Sequence, residues 1–206
     1  MHLIFLPKRI PLTRKFRGNV LKCKFLYAII NSTITIISIP PVEYSMSKFK
    51  NFTLTQYLDV LSERTPVPGG GSAAALTAAL GAALISMVAN YSLGRGKPRD
   101  IETNLRKALK RSEAARRRLL QLVDLDAQAY LKVVRARTKS ARHKQAALKA
   151  ARKVPLETCY LCYRTVELAP YLVKHGNRYL LSDVQVAVEF LLAAFRSAKV
   201  NVEVNQ

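Results

Sequence analysis

From Met46 onward, apolar residues return in steps of three and four, and the pattern breaks at only a few glycine- and proline-rich points. The most regular run is Ile101, Leu105, Ala108, Ser112, Ala115, Leu119, Leu122, Asp126, Ala129 and Val133. This alternation predicts one long helix of the bundle-packing type. A second stripe runs through Ala147, Ala150, Val154, Thr158, Leu161, Thr165, Leu168 and Leu172. It passes Pro155, where the missing backbone donor predicts a kink or a restart. A last helix is expected with Val184, Ala187, Val188, Leu191, Phe195 and Ala198 inward.

Residues 73–93 obey a different rule. No charged residue occurs between Arg64 and Arg95, and Ala74, Ala78 and Ala82 line one ridge beside Gly81, which lets another backbone come close. A helix apolar all round is buried on every side or lies in a membrane. Its length would permit a span. Its alanine-dominated composition, interrupted by Ser86 and Asn90, favours a central core helix instead. No alternating strand pattern of convincing length is present, so the class is all-α. The expected architecture is a bundle of long antiparallel helices around a buried Ala-rich central helix.

The boundaries have their own signals. Thr53-Leu-Thr-Gln56 has capping-box spacing and opens a short helix from Leu54 to about Glu63. Pro66 and Pro68 then force an extended entry to Gly69-Gly70-Gly71, and Ser72 is expected to cap the helix after them. Gly94–Pro98 reads as a basic turn, with Asp100 capping the long helix beyond it. The polar stretch Arg135–Lys144 separates two helices, Gly176-Asn177 ends a third, and Ser182-Asp-Val-Gln185 reads as another capping box.

Charge changes the picture in two ways. The 206-residue chain carries a formal net charge of +21, a surplus that attracts anions of any kind. Residues 1–45 hold seven Lys/Arg and one acid, and differ in character from the rest of the chain. Their uncharged run Phe25–Ser38 is too short to span a membrane, and no Ala-x-Ala-like cleavage site comes after it. We read residues 1–45 as a non-native leader from an early start codon, with a targeting segment as the alternative, and residues 46–206 as the domain. Three cysteines form no even disulfide framework, which points to a reducing cytoplasm. The lone pair Cys159 and Cys162 lacks the second ligand pair that zinc needs, and reads as two small residues on a helical face. No metal is expected.

Asp126 is the sharpest chemical signal. It occupies a seam position between Leu122 and Ala129, where a carboxylate is costly unless paired, protonated or facing a polar cavity. A buried ion pair with an arginine is the bland reading. A carboxyl with raised pKa, suited to proton transfer, is the functional one. The triple glycine before a helix start exposes amides near a positive dipole end, a seat for an anion or an electron-rich ring. It is neither a Walker loop nor a dinucleotide fingerprint, because no lysine comes directly after it and no strand precedes it. Asp183 in a first helical turn and Asn177 after a glycine carry weaker signals, while His143 and His175 read as surface residues.

Several of these segments, in order, resemble one known family. Thr65-Pro-Val-Pro-Gly-Gly-Gly-Ser-Ala-Ala-Ala75 and Ala79–Asn90 are similar to the opening of the formiminotransferase-cyclodeaminase C-terminal domain. That family includes stand-alone methenyltetrahydrofolate cyclohydrolases. Asp126-Ala-Gln-Ala-Tyr130, Gly176–Asp183 and Asn201-Val-Glu-Val-Asn205 extend the similarity to nearly all of 47–206. The resemblance implies an all-helical homodimer that binds a tetrahydrofolate derivative, with no cofactor beyond that substrate. It implies either closure of 5-formiminotetrahydrofolate with loss of ammonia or interconversion of the 5,10-methenyl and 10-formyl forms. Carried over by motif are Asp126 and Asp183 as acid/base residues, with Gly69, Gly70, Gly71, Ser72, Asn177 and Asn201 as substrate contacts. The +21 charge would attract a polyglutamylated folate tail.

The chain departs from the family in lacking a Pro-Lys after the aspartate helix and in stopping just after Asn205, which reads as a truncated C-terminus. A basic module that binds nucleic acid through the arginine-rich long helix is the rival reading. It lacks clustered aromatics for base stacking. An inactive dimeric homologue is the third. Neither nucleic acid nor membrane is expected as a partner.

Overall fold

The structure, a computed structural model, describes residues 48–204, and the expectations for residues 1–45 and for the C-terminal end lie outside them. A 3-10 turn at Phe49–Asn51 leads into α1 (Leu54–Ser62), α2 (Gly70–Ser92) and α3 (Arg99–Ala136). Next come α4 (Ala141–Val166), α5 (Ala169–His175), a second 3-10 turn at Arg178–Leu180, and α6 (Leu181–Val204). No strand occurs among the described residues. The all-α reading holds.

Four long helices form an up-down bundle, and three cross-links fix the directions. Ser86 on α2 hydrogen-bonds Ser112 on α3 at 2.8 Å, while Gly71 meets Asp126 further along the same pair. Arg118 on α3 pairs with Glu157 on α4 at 2.6 Å. The Cys159 thiol on α4 donates to the Phe195 carbonyl on α6 at 3.7 Å. Ala129, Ala151 and Asn201 line one cavity further along, a second meeting point for the last two pairs, so each neighbour runs antiparallel to the next. The middle of the bundle is filled by Ala75, Ala78, Ala82 and Ile85 against Leu105, Leu119, Leu191 and Ala194, all without solvent contact. Removal of such area from water is the main source of stability. Gly81 lets α6 approach, because a Cβ there would lie 2.8 Å from Leu191 Cγ.

Several local expectations are corrected by packing. Ser72 does not cap α2. The helix begins two residues earlier, behind Gly69, and Ser72 is fully buried in its first turn. Asp100 lies inside α3, whose N-cap is Pro98, and Ser182 lies inside α6, which continues directly from a 3-10 turn. The Thr53–Gln56 capping box is formed on both sides. Pro155 sits within an unbroken α4, and the break falls at Glu167-Leu168 instead, where Pro170 occupies the first turn of α5. Phe195 is exposed and Ala194 takes its place in the core.

α2 is also less enclosed than the buried central helix that its composition predicts. α2 is long and apolar enough to cross a membrane by length and composition alone, and most of it is buried against α3 and α6. Yet Leu80 and Tyr91 on its remaining face are 48% and 54% exposed.

Candidate active site

At one end of the bundle, the four long helices surround a cavity of about 480 Å³. Its floor is Gly69, Gly70 and Gly71, and one wall is Asp126, Ala129, Tyr130, Val133 and Arg137 of α3. Leu148 and Ala151 of α4 and Asn201 and Val204 of α6 complete it, with Pro66 and Val67 of the loop. The volume lies within the range usual for small-molecule sites, which combine apolar walls with a few directed polar groups.

Asp126 is where the seam ends. Leu105 to Leu122 stay buried, but from Asp126 the same stripe opens into this cavity. Burial pushes the Asp126 carboxyl up to about 6, only partly opposed by a hydrogen bond from the Ser72 backbone N–H. No arginine or lysine pairs with it among the described residues, so the buried ion pair is not formed. A carboxyl that changes charge near 6 both gives and takes protons close to neutrality.

The glycine loop explains how the acid gets so near. A Cβ on Gly71 would overlap the Asp126 carboxylate, so only glycine admits that side chain beneath the start of α2. Beside it, the Ser72 hydroxyl meets the Tyr57 phenol at 3.0 Å. Tyr57 is the one buried residue of α1, and burial raises its pKa, with the Ser72 hydrogen bond lowering it and the Asp126 charge raising it. Ser72 is thus turned toward Tyr57 and Asp126 rather than lining the cavity.

The motif residues do not all converge. Gly69, Gly70, Gly71, Asp126 and Asn201 share the cavity. Asp183 lies eighteen positions before Asn201 on α6, which is about 27 Å along a helix. Asn177 also belongs to the far end, where its N–H donates to Ser92 at the close of α2. Within one chain, Asp183 and Asn177 therefore stand away from the Asp126 carboxyl.

Four residues escape a reading of the sequence. Tyr130 and Arg137 line the cavity as an aromatic face and a cation. Tyr130 lies one helical turn beyond Asp126, and that spacing is a usable signal. Nothing local marks Tyr57, because its partner Ser72 lies across the proline loop. Asp124, also buried, accepts the Lys50 N–H at 3.1 Å and ties the first 3-10 turn to α3. Burial drives the Cys162 thiol up to about 12 and raises Cys159, which disfavours a thiolate at either position. No group of three His, Cys, Asp or Glu side chains is placed to hold a metal among the described residues.

Residues 53–206 match the formiminotransferase-cyclodeaminase family. A methenyltetrahydrofolate cyclohydrolase of Methylorubrum extorquens is 40% identical over 165 residues, covering 75% of this chain and 79% of that protein. The formimidoyltransferase-cyclodeaminase of Mus musculus is 33% identical over 163 residues, and the match spans 74% of this chain but 30% of that longer protein. The crystal structure of formiminotetrahydrofolate cyclodeaminase from Thermotoga maritima superposes with a TM-score of 0.73 at 32% identity, covering 76% of this chain and 79% of the other. With the family match extending over most of its length and a whole-domain relative at 40% identity, the chain belongs to the formiminotransferase-cyclodeaminase family.

Proposed function

We propose that this chain is a one-carbon folate enzyme that uses Asp126 to move a proton at the carbon bridging two nitrogens of tetrahydrofolate. The observation that carries this reading is the half-buried Asp126 carboxyl, without a cation beside it, facing a cavity floored by the glycine loop. In the hydrolytic direction, water adds to the methenyl carbon, Asp126 accepts the proton, and a carbon–nitrogen bond opens to give the 10-formyl form. In the deaminating direction, the N10 amine attacks the formimino carbon held on N5, the N10 proton passes to the formimino nitrogen, and a second proton delivered to that nitrogen lets it leave as ammonia while the methenyl cation forms. Both routes pass through a tetrahedral carbon and need one group able to gain and lose a proton.

Hydrolysis is favoured by the match to a cyclohydrolase over 79% of its length. Deamination is the second reading, favoured by the Thermotoga neighbour. Tyr130 offers a ring to stack on the pterin, and Arg137 offers a cation to its carboxylates. Around Arg137 the chain has nine Lys/Arg and no acid from 127 to 156. That density suits a polyglutamylated tail. Purified full-length protein is expected to consume methenyltetrahydrofolate with loss of its absorbance, and slower or no ammonia is expected from the formimino form. A folded protein inert to both substrates would refute the reading.

The same proposal includes a homodimer. α2 and α6 leave uncharged residues open at helical spacing, Leu80, Leu84, Met87 and Tyr91 on one and Val186, Phe190, Val200 and Val204 on the other. Leu54 and Leu58 of α1 are also exposed. Exposed apolar residues of this kind support a partner surface. Leu80→Glu with Phe190→Glu is expected to give monomers in sedimentation velocity. An unchanged sedimentation coefficient would remove this face from the dimer.

A further inference from the structure

A second cavity, of about 420 Å³, opens at the opposite end of the bundle. Ser92, Arg95, Lys97, Asn177, Arg178 and Tyr179 line it. Three of these side chains are cationic, and no acid is among the lining residues. From Gly71 to Ser92 the distance along α2 is about 31 Å. A ligand seated against Asp126 therefore leaves this cavity free.

The two walls are held in different ways. On one side, Gly94 and Gly96 take φ of 67° and 68°, a left-handed conformation that costs little only for glycine. They fold Leu93–Pro98 so that Arg95 and Lys97 reach the same cavity. The nearby Glu102 is committed elsewhere: it accepts the Gly94 N–H at 3.2 Å and pairs with Arg106 at 2.9 Å. On the other side, the Asn177 N–H donates to the Ser92 hydroxyl at 2.8 Å, and the Asn177 side chain accepts from the Tyr179 N–H at 3.0 Å. Arg178 lies 5.0 Å over the Tyr179 ring and donates to its hydroxyl at 2.9 Å. That partner is neutral, so the guanidinium charge stays uncompensated.

Arg95, Lys97 and Arg178 make no ion pair among the described residues. A basic turn at the end of α2 also complements the helix dipole. That role needs neither a cavity nor an arginine supplied from the opposite wall. We infer that this cavity is a second ligand site, separate from the catalytic one, for a small multivalent oxyanion carrying carboxylate or phosphate groups. Arginine forks from the turn and from Arg178 would grip two oxygen groups at once. Lys97 adds a point charge, and Tyr179 closes the mouth.

The test titrates the full-length protein with pyrophosphate and, in parallel, with citrate, by calorimetry at fixed ionic strength. Saturable one-to-one binding is expected, stronger for whichever anion supplies the native group. The double variant Arg95→Ala/Arg178→Ala is expected to weaken it by at least about tenfold. A charge-matched Lys107→Ala/Lys110→Ala control and Asp126→Asn are expected to leave it unchanged. Lys97→Gln provides a milder variant should the double one fold poorly. Absence of saturable binding for both anions, or equal weakening by the control, would overturn the inference. So would binding abolished by Asp126→Asn but kept in the Arg95/Arg178 variant.

Discussion

The two ends of this bundle are joined by α2 and do opposite things with charge. At the α2 N-terminus, a lone carboxyl is drawn out of water and held under glycines without a cation beside it. At the α2 C-terminus, three cations share an open cavity without an acid in its lining. Desolvation raises a carboxyl toward neutrality, whereas the two arginines at the other end stand in solvent. One end is therefore suited to exchanging protons and the other to holding an anion. The difference arises from burial more than from residue count.

Substitutions that strike one end and spare the other sharpen that contrast. The largest effect is expected from Asp126→Asn, which should lower turnover by about 10²- to 10⁴-fold in the methenyl absorbance assay. Arg95→Ala/Arg178→Ala in the same assay should leave turnover within experimental error. Gly71→Ala is expected to be nearly as damaging as Asp126→Asn, since its Cβ would displace the Asp126 carboxylate, at a cost of about 1–3 kcal/mol of overpacking seen in thermal melts.

The raised Asp126 pKa gives a pH test of either sign. As the base in hydrolysis, Asp126 should lose activity as pH falls through about 6, while an acid role would lose activity as pH rises through the same value. Stability obeys the same linkage. The folded pKa lies above the unfolded one, so the neutral carboxyl contributes stability that is full below about 3.8 and is lost as pH rises through about 6. Asp126→Asn should accordingly raise Tm at pH 8 more than at pH 4, by a difference of at most about 3 kcal/mol in unfolding free energy. The smallest expected effect is Arg137→Ala, which should raise KM by about tenfold with kcat kept, as expected for a contact equally strong in ground and transition states.

Much of the fold is legible in the sequence because bundle helices obey one periodic rule. The stripe from Leu105 to Leu122 is buried as its spacing predicts, and Thr53 with Gln56 closes the capping box that its tetrapeptide announces. The failures share a cause. Ser72 has the right identity for a cap, but Tyr57, fifteen positions earlier along the chain, engages its hydroxyl in the folded state. Phe195 fits the inward stripe, but the core side of α6 takes Ala194 instead. Pro155 predicts a kink or a restart, and no restart occurs there, since the helix runs on to the Glu167-Leu168 turn.

The candidate site is half legible. Asp126 stands out because a carboxylate in an apolar seam is costly wherever the seam packs. The triple glycine stands out by composition. Their meeting does not, and neither does the separation of Asn177 and Asp183 from them.

By itself, the order of residues determined the helical class, the limits of α1, α2 and α3 to within a few positions, and the presence of one misplaced acid. Those come from 3.6-residue periodicity and from backbone chemistry, which are local. Only the tertiary structure decided that the acid meets the glycine loop, that Tyr57 backs it through Ser72, and that Asn177 and Asp183 stand at the other end. Those outcomes depend on which antiparallel ends come together, and contacts across tens of residues leave no period in the sequence.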